Sequence, residues 1–327
     1  MKLGILGTGM IVKDMLTTIH KLKIESVSIL GTEKSKNETQ ELAKKYGISQ
    51  CYFNYDEMLL KSDTDTIYVA LPNSLHYEFA KKALEHGKHV IIEKPITANY
   101  SELRELKKIA AKNNRMIFEG ISTYYLPAYI LLKEKIPDLG SLKIVSLNYS
   151  QYSSRYDAFK EGNILPAFDS EKAGGALMDI NVYNIHTVIG LFGKPISVDY
   201  KANIEKNIDT SGILTMDYGS FQVVCIGAKD CKAPIVSSYQ GDEGNIIVTV
   251  PPNGMRKFTF NDKEGNSQEY SFNEEDHRLL YEFQEFIKMI DGKDYDRMNR
   301  MLERSSLVSQ VMEEARKKAG IVFANDM

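Results

Sequence analysis

The hydrophobic residues in the first third of the chain alternate between short apolar runs and longer segments with helical spacing. The runs at 2–6, 26–30, 66–70 and 90–93 each have the length and character of a buried strand. Between them, apolar residues recur every three or four positions, as in 11–22, which predicts amphipathic helices. Strands and helices that alternate in this way form mostly parallel, doubly wound sheets with right-handed crossovers. We therefore predict an α/β fold for this part of the chain.

The second half of the chain has a different pattern. A helix pattern begins at Pro127, and residues 142–149 alternate between apolar and polar as a strand does. Residues 197–272 contain successive strand patterns separated by glycine-containing turns, which predicts an antiparallel meander. Two helix patterns, at 276–290 and 297–319, follow it.

Length and composition narrow the class of protein. A chain of 327 residues predicts two domains, because single cores rarely exceed roughly 250–300 residues. The net charge of −3 lacks the basic excess of a nucleic-acid surface, and we expect no nucleic-acid partner. No segment has the roughly 20 apolar residues that span a bilayer, so we expect no membrane association. The N-terminus enters a strand pattern without a signal-peptide pattern, and we therefore expect a cytoplasmic protein.

The cysteines and histidines do not indicate a metal site. Cys51, Cys225 and Cys231 lack the spacing of zinc ligands, and the histidines do not cluster. We therefore predict no bound metal.

A glycine-rich turn separates the first strand from the first helix, and it comprises Gly7, Thr8, Gly9, Met10 and Ile11. Gly7 permits a tight turn, and Gly9 lets the backbone approach a pyrophosphate at the helix N-terminus. Val12 occupies the third position of this fingerprint, where a small residue usually permits close helix–strand packing. Because the turn stands between a strand and a helix, we predict that residues 7–11 bind a dinucleotide.

The residues after the second strand bear on which dinucleotide binds. Glu33 follows Gly9 at roughly the 20-residue interval at which a carboxylate binds the ribose 2′-hydroxyl of NAD. Thr32, Lys34 and Lys36 instead suit the 2′-phosphate of NADP. NAD and NADP both remain compatible with these residues, and the lysines favour NADP slightly.

The strand at 66–70 is followed by four residues that we predict to bind the cofactor: Leu71, Pro72, Asn73 and His76. We assign Asn73 and His76 to its nicotinamide side. Pro72 fits a strand exit because it cannot donate to a strand ladder. We predict that Ser74 is the N-cap of the next helix and that Ser101 is the N-cap of a later one.

The apolar strand at 90–93 ends in Glu93-Lys94-Pro95. Ligands of open α/β sheets bind outside the carboxyl ends of the strands, which is where this strand places Glu93 and Lys94. An amine that is partly desolvated beside a cofactor cation exchanges protons near neutral pH. We therefore predict that Lys94 is catalytic and that both residues also contact the cofactor.

In the second half, Gly174-Gly175 precedes a helix pattern that extends to about residue 191. Asp179, Tyr183 and His186 fall on one face of this helix at 100° per residue, and the other faces are apolar. A polar stripe on so apolar a helix faces water or a site, and we predict that these three side chains are catalytic.

The polar, aromatic segment 152–169 has no periodicity, and long loops of this kind are often functional. We predict that Arg155 and Tyr156 contact the substrate.

Four motifs together resemble the Gfo/Idh/MocA family of oxidoreductases, named after glucose–fructose oxidoreductase and inositol dehydrogenase. They are Gly7-Thr8-Gly9, Pro72-Asn73-Ser74-Leu75-His76, Gly87-Lys88-His89-Val90 running into Glu93-Lys94-Pro95, and Gly174-Gly175-Ala176-Leu177-Met178-Asp179. The resemblance implies a dinucleotide-binding Rossmann domain at 1–121. It also implies a substrate-binding and oligomerisation α+β domain at 122–327, built on a large, mainly antiparallel open sheet.

The resemblance also has implications for function. It implies an NAD(P)-linked alcohol or sugar oxidoreductase that forms a homodimer or homotetramer through the C-terminal sheet. Asp179 and the residue four positions later correspond to catalytic or substrate-binding groups of the family. That later residue is often histidine in the family and is Tyr183 here, as in the dihydrodiol dehydrogenase and glucose–fructose oxidoreductase branches.

Our hypothesis from the sequence is hydride transfer between a nicotinamide and a secondary alcohol or ketone of a sugar, polyol or diol. Lys94 and Tyr183 are both candidates for the proton relay. The first alternative is a dinucleotide-bound sensor or regulatory protein without turnover, and the second is an interaction protein that uses its sheet face.

Overall fold

The computed structural model describes residues 1–272 and 276–326. The α-helices are α1 Met10–Thr18, α2 Lys36–Tyr46, α3 Tyr55–Lys61, α4 His76–Glu85, α5 Tyr100–Lys112, α6 Pro127–Lys135, α7 Tyr156–Lys160, α8 Val182–Phe192, α9 Arg278–Asp291 and α10 Tyr295–Lys318. The strands are β1 Lys2–Leu6, β2 Ser26–Leu30, β3 Gln50–Tyr52, β4 Thr66–Val69, β5 His89–Glu93, β6 Ile117–Gly120, β7 Leu142–Ser150, β8 Ser197–Glu205, β9 Ile208–Asp217, β10 Gln222–Ala228, β11 Val236–Gly241, β12 Gly244–Val248, β13 Lys257–Asp262 and β14 Ser267–Ser271. Within the described ranges, no helix has the length and apolar character needed to cross a bilayer.

The first compact unit comprises residues 1–120 and 276–306. Its six strands are all parallel and lie in the order β3-β2-β1-β4-β5-β6, with helices between successive strands. Strands β4 and β5 are buried along almost their whole length, as expected for a sheet covered on both faces. This arrangement confirms the predicted doubly wound Rossmann sheet.

Helix α9 belongs to the first unit because its aromatic residues pack on the parallel sheet. The ring of Phe283 meets Tyr68 of β4 edge-on at 5.2 Å, and Phe286 lies 4.9 Å from Phe118 of β6. The sequence prediction placed everything after residue 121 in the second domain, whereas residues 276–306 cluster with the first unit. Local periodicity predicts such a helix but not the sheet on which it packs.

The second unit comprises residues 121–275 and 307–327, of which 273–275 and 327 lie outside the described residues. Its eight strands lie in the order β14-β13-β12-β11-β7-β10-β9-β8. All neighbours are antiparallel except β7 and β10, which run parallel. This sheet confirms the predicted mainly antiparallel architecture.

Helix α8 and the turn before it pack on the centre of this sheet. The amide of Asn181 donates to the Cys225 carbonyl at 3.1 Å, and that of Asn184 donates to the Ile226 carbonyl at 3.0 Å. Strand β10 has glycine at 227, where a Cβ atom would stand 2.6 Å from the Cβ of Asn181. The absence of a side chain at Gly227 therefore permits the close approach of helix and strand.

Three local predictions are wrong. The N-cap of α5 is Asn99, whose Oδ1 accepts from the Glu102 amide at 3.0 Å, rather than Ser101. Ser74 lies inside a 3-10 turn, Asn73–Leu75, and does not cap α4. The segment 152–169 is not a continuous loop, because it contains α7 and a short 3-10 turn.

Candidate active site

The glycine turn after β1 forms an open cradle at the N-terminus of α1. Gly7 has a φ of +104°, and a Cβ there would lie 2.7 Å from the Ala70 carbonyl oxygen, so only glycine fits without strain. A Cβ on Gly9, the N-cap of α1, would meet nothing within 4 Å. The next side chain, Met10, is 65% exposed. The first turn of an α-helix has no intrahelical acceptors for its amides, and here it follows a glycine whose Cβ position is open, an arrangement that suits phosphate binding.

The end of β2 lies beside the start of α2. Thr32 and Ser35 form a reciprocal capping pair: Thr32 Oγ1 accepts from the Ser35 amide at 3.2 Å, and Ser35 Oγ accepts from the Thr32 amide at 2.9 Å. Glu33 and Lys34 are exposed, and Glu33 lies 3.6 Å from the ammonium of Lys36. The Lys36 ammonium therefore offsets part of the negative charge of Glu33. This weakens the repulsion by which Glu33 would disfavour the 2′-phosphate of NADP.

Glu38 of α2 also bonds to the glycine turn. Its carboxylate accepts from Thr8 Oγ1 at 2.9 Å and from the Lys13 ammonium at 2.6 Å. These two hydrogen bonds hold the pKa of Glu38 below its usual range. Thr8, predicted to contact the cofactor, is thereby fixed in place by an ionised side chain from the next helix.

His76 links the turns that follow β4 and β5. Its Nε2 lies 2.8 Å from the carbonyl oxygen of Leu71, and its Nδ1 lies 2.9 Å from that of Pro95. The ring is fully buried, and burial lowers the pKa of His76 despite the two carbonyl contacts, so the ring is neutral at pH 7. The structure therefore joins two of the predicted cofactor-binding turns through one side chain, while Pro72 and Asn73 lie on the first of them.

Glu93 is buried beneath its own turn. Its Oε1 accepts from the hydroxyl of Tyr68 at 2.5 Å, and its Oε2 accepts from the Lys94 amide at 3.3 Å. Burial raises the pKa of Glu93, partly offset by Tyr68 and by the charge of Lys94. Glu93 thus supports the position of Lys94 from within the core.

Glu282 of α9 is also fully buried, and burial together with the charge of Glu93 raises its pKa well above the usual range.

Lys94 is only partly buried, and its peptide bond to Pro95 is cis. It follows directly on a strand whose last three apolar residues are fully buried. The side chain thus starts from a rigid base at the carboxyl end of β5, the edge at which ligands of open α/β sheets bind.

The second unit holds the other predicted catalytic residues. The prediction of a regular α-helix is wrong for the first turn, because Leu177–Asn181 is π-helical and carries Asp179. The 100° spacing therefore does not apply between Asp179 and Tyr183. Single π turns are frequent at functional sites.

Asp179, Tyr183 and His186 have different surroundings. The Asp179 carboxylate accepts from the ammonium of Lys229 at 2.6 Å. The ring of Tyr183 lies 6.2 Å from that of Tyr149 and is 6% exposed.

His186 is fully buried, with Nδ1 lying 2.9 Å from the hydroxyl of Tyr124. That hydroxyl also donates to the His186 carbonyl oxygen at 3.1 Å. His186 therefore lies in the core of the second unit, close to a tyrosine.

Arg155 and Tyr156 lie at the start of α7. Arg155 is exposed, and the Tyr156 hydroxyl donates to Glu205 at 2.5 Å. That hydrogen bond raises the pKa of Tyr156 to about 12. The ring of Tyr156 packs against Phe159 and Phe168, which anchors the segment to the second unit.

Sequence reasoning missed two charged residues around the π turn, Lys229 and Asp209. Asp209 Oδ2 accepts from the Leu177 amide at 2.6 Å and from the Tyr200 hydroxyl at 2.7 Å. Gly175, with a φ of +101°, has no room for a Cβ, which would lie 2.0 Å from Asp209 Oδ1. The only sequence signal was a charged residue inside or directly after an apolar strand, and its partner is not local.

The first unit fits a dinucleotide on its own geometry. It combines an open helix N-terminus at Gly9, a capped turn at Thr32 and a lysine at the tip of β5. When bound, NAD or NADP supplies the hydride acceptor or donor, and these residues would hold it.

Comparison with known proteins agrees with this geometry. The model of an oxidoreductase family with an NAD-binding Rossmann fold, Gfo/Idh/MocA, matches residues 1–121. The scyllo-inositol 2-dehydrogenase (NADP(+)) IolU of Bacillus subtilis is 31% identical and aligns over 99% of both chains. The mouse trans-1,2-dihydrobenzene-1,2-diol dehydrogenase is 25% identical over 99% of this chain and 98% of its own length.

Among solved structures, KijD10, a 3-ketoreductase from Actinomadura kijaniata in complex with NADP and TDP-benzene, superposes with a TM-score of 0.84. It is 17% identical and covers 97% of both chains, so it supports the fold. The full-length similarity to IolU, together with the family match, confirms the resemblance noted in the sequence. The chain therefore belongs to the Gfo/Idh/MocA family of NAD(P)-dependent oxidoreductases and is a dehydrogenase or reductase acting on CH–OH groups.

Proposed function

We propose that this protein transfers a hydride between NADP and a secondary alcohol or ketone of a polyol or cyclic diol. Relatives that align along the whole chain include an inositol dehydrogenase and a dihydrodiol dehydrogenase, and both substrates carry adjacent hydroxyl-bearing carbons. The observation that carries this function is Lys94 at the rigid tip of β5, in the same unit as the open glycine turn.

Lys94 hydrogen-bonds the substrate oxygen and takes its proton during oxidation, or returns the proton during reduction. The hydroxyl of Tyr183 is the second candidate for this proton transfer. Asp179 accepts a hydrogen bond from a neighbouring substrate hydroxyl and so contributes to substrate binding. His186, which contacts the Tyr124 hydroxyl, is the remaining catalytic candidate. Arg155 and Tyr156 contribute to substrate binding.

The preference for NADP rests on Thr32, Lys34 and Lys36 at the start of α2. Lys34 and Lys36 bring positive charge to a capped helix start, and IolU is named as an NADP(+) enzyme. We expect NADP to protect the purified protein against thermal unfolding more than NAD does. A cofactor at a hundred times its dissociation constant adds about 2.7 kcal/mol. Equal protection of wild type and of K34A/K36A by NADP contradicts this preference.

Turnover is tested by following reduced-nicotinamide absorbance with scyllo-inositol, other inositols and trans-dihydrobenzenediol as substrates. Reduction of NADP with at least one of them supports the function. Strong protection by NADP without turnover on any of the three classes favours a sensor or regulatory role instead.

We also propose that the protein forms a homodimer or homotetramer through the second sheet. Two rows of outward residues cross β9, β10, β7 and β11 without a charged side chain: Ile213-Ile226-Asn148-Val236 and Thr215-Val224-Ser146-Ser238. Ile213 and Val236 are 46% and 39% exposed. An uncharged sheet face of this kind suits burial against a second copy. Light scattering should show an oligomer for wild type and a monomer for I213K, and an I213K oligomer would disprove this interface.

A further inference from the structure

We propose that Lys229 is a positioning residue: it holds the carboxylate of Asp179 so that Asp179 can accept a hydrogen bond from the substrate. Because Asp179 has its role only in the proposed function, this inference rests on that function. Lys229 itself does not contact the substrate and acts through Asp179.

The surroundings of Lys229 form a built site for one ammonium group. Its Nζ donates to Asp179 Oδ2 at 2.6 Å and to the Ala167 carbonyl oxygen at 2.7 Å, and it lies 4.3 Å from the centre of the Phe168 ring. A carboxylate, a carbonyl oxygen and an aromatic face are the partners that stabilise a buried cation.

The pair is asymmetric in its exposure. The side chain of Lys229 is 3% exposed, whereas that of Asp179 is 35% exposed. Solvent and solutes therefore reach the carboxylate but not the ammonium. An ammonium placed in this way fixes the orientation of the carboxylate that it contacts.

Strands β9 and β10 hold both Lys229 and the turn that carries Asp179. Lys229 follows β10, and its amide donates to the Thr210 carbonyl of β9 at 2.9 Å. The turn that carries Asp179 is held by Asn181, which bonds to β10, and by Asp209 of β9, which accepts from the Leu177 amide. The sheet thus sets the distance between ammonium and carboxylate, as a support for a precise site requires.

The first test compares K229M with K206M in NADP-dependent oxidation of scyllo-inositol. Lys206 is a matched control because its ammonium also donates to carbonyl oxygens of the segment 152–169 and lies 4.7 Å from the Phe159 ring. Lys206 is exposed and bonds to Phe159 and Lys160, not to Asp179.

For K229M we expect KM for scyllo-inositol to rise by roughly tenfold to 100-fold, the range of a lost hydrogen bond to a charged group. We expect kcat to stay within about threefold and the dissociation constant of NADP to be unchanged, because the loss affects ground-state and transition-state binding alike. K229R should restore part of the loss by returning a charge, and K206M should match wild type. A fall in kcat with unchanged KM indicates a merely structural role and overturns the inference.

A double-variant cycle keeps the test decisive if K229M does not fold. D179N should raise KM, and adding K229M to D179N should leave KM where D179N puts it, because the effect of Lys229 passes through Asp179. A further rise of KM in D179N/K229M overturns the inference. Wild-type protein without turnover on any polyol or diol overturns the proposed function as well, whereas active wild type with an unchanged K229M overturns only the role of Lys229.

Discussion

The two units hold their polar groups in different ways. In the first unit, helix caps come from residues three positions away: Thr32 pairs with Ser35, Asn54 accepts from Glu57, and Asn99 accepts from Glu102. In the second unit, the turn that carries Asp179 is held by Asp209 and Lys229, which lie 32 residues from Leu177 and 50 residues from Asp179. These helix caps of the first unit therefore follow from local turn chemistry, whereas the turn that carries Asp179 in the second unit depends on tertiary contacts.

This contrast has a physical basis in the two sheets. Parallel strands connected by helices bring all their carboxyl ends to one edge, so residues that directly follow strands meet there. In the antiparallel sheet, strand ends alternate between edges, and a helix laid across the face meets residues from the middle of distant strands. Substitutions that remove individual side chains test this difference between the two units.

The largest expected effect is a loss of turnover when Lys94 of the first unit is substituted. K94A should lower kcat by about 10²- to 10⁴-fold, because it removes a positioned proton-transfer group. The dissociation constant of NADP should change little. Stopped-flow or steady-state kinetics measure the first quantity, and thermal protection measures the second. K61A is the control, since Lys61 is an exposed lysine paired with Glu57 on α3. Turnover of K94A at the wild-type rate would exclude Lys94 as the proton relay.

The next prediction compares the loss of a distant acceptor, Asp209, with the loss of a local helix cap, Asn99. D209A leaves the Leu177 amide and the Tyr200 hydroxyl buried without their acceptor, and the free energy of unfolding should fall by about 3 kcal/mol. N99A removes a cap of the local type and should cost about 1 kcal/mol. Urea unfolding of both variants measures the difference. Equal losses would mean that the second unit does not depend on its distant contacts more than the first depends on its local ones.

A smaller effect distinguishes the two glycines of the cofactor turn. G7A forces a side chain into a φ of +104° against the Ala70 carbonyl oxygen and should cost roughly 1–2 kcal/mol of stability. G9A places its methyl group in open space, so its stability should equal that of wild type while its affinity for NADP falls. Thermal unfolding with and without NADP separates these outcomes, and destabilisation of G9A would contradict the open cradle.

The smallest effect concerns Glu282 in the first unit. Its raised pKa means that the folded protein binds this proton more tightly than the unfolded chain, so stability falls as pH rises above the ordinary carboxyl range. E282Q should therefore be more stable than wild type by on the order of 1 kcal/mol at about pH 8, with the gain vanishing towards about pH 4.

Glu285 on the same helix provides the opposite control. Burial alone would raise its pKa, but hydrogen bonds from Lys288 and Arg297 outweigh burial and lower it. Its stabilising contribution is present above the ordinary carboxyl pKa and is lost as pH falls, so E285Q should be less stable than wild type near neutral pH. A gain in E285Q or a loss in E282Q at about pH 8 would reverse this assignment.

The sequence predicted most of the first unit because its signals are local. The succession of strand, turn and helix around Gly7 and Gly9 was sufficient to predict the open turn at the N-terminus of α1. The apolar strand before Lys94 was sufficient to predict that Lys94 lies at the carboxyl end of that strand. The cap at Asn99 was missed because Ser101 is an equally good capping residue, and only the backbone dihedral angles distinguish them. Asp209 and Lys229 were missed because no local spacing links a strand residue to a turn so far away. The π turn was missed because the five residues Leu177–Asn181 are too few to show a periodicity that separates a π turn from an α-helix.

The two carbonyl oxygens around His76 have a consequence for the tautomer of that ring. A neutral imidazole carries one N–H, so it donates to Leu71 or to Pro95, and the other oxygen faces a lone pair. The neutral side chain therefore has two hydrogen placements, each of which tethers a different loop. Moving a single hydrogen across the ring transfers the tether from the loop after β4 to the loop that begins with Lys94.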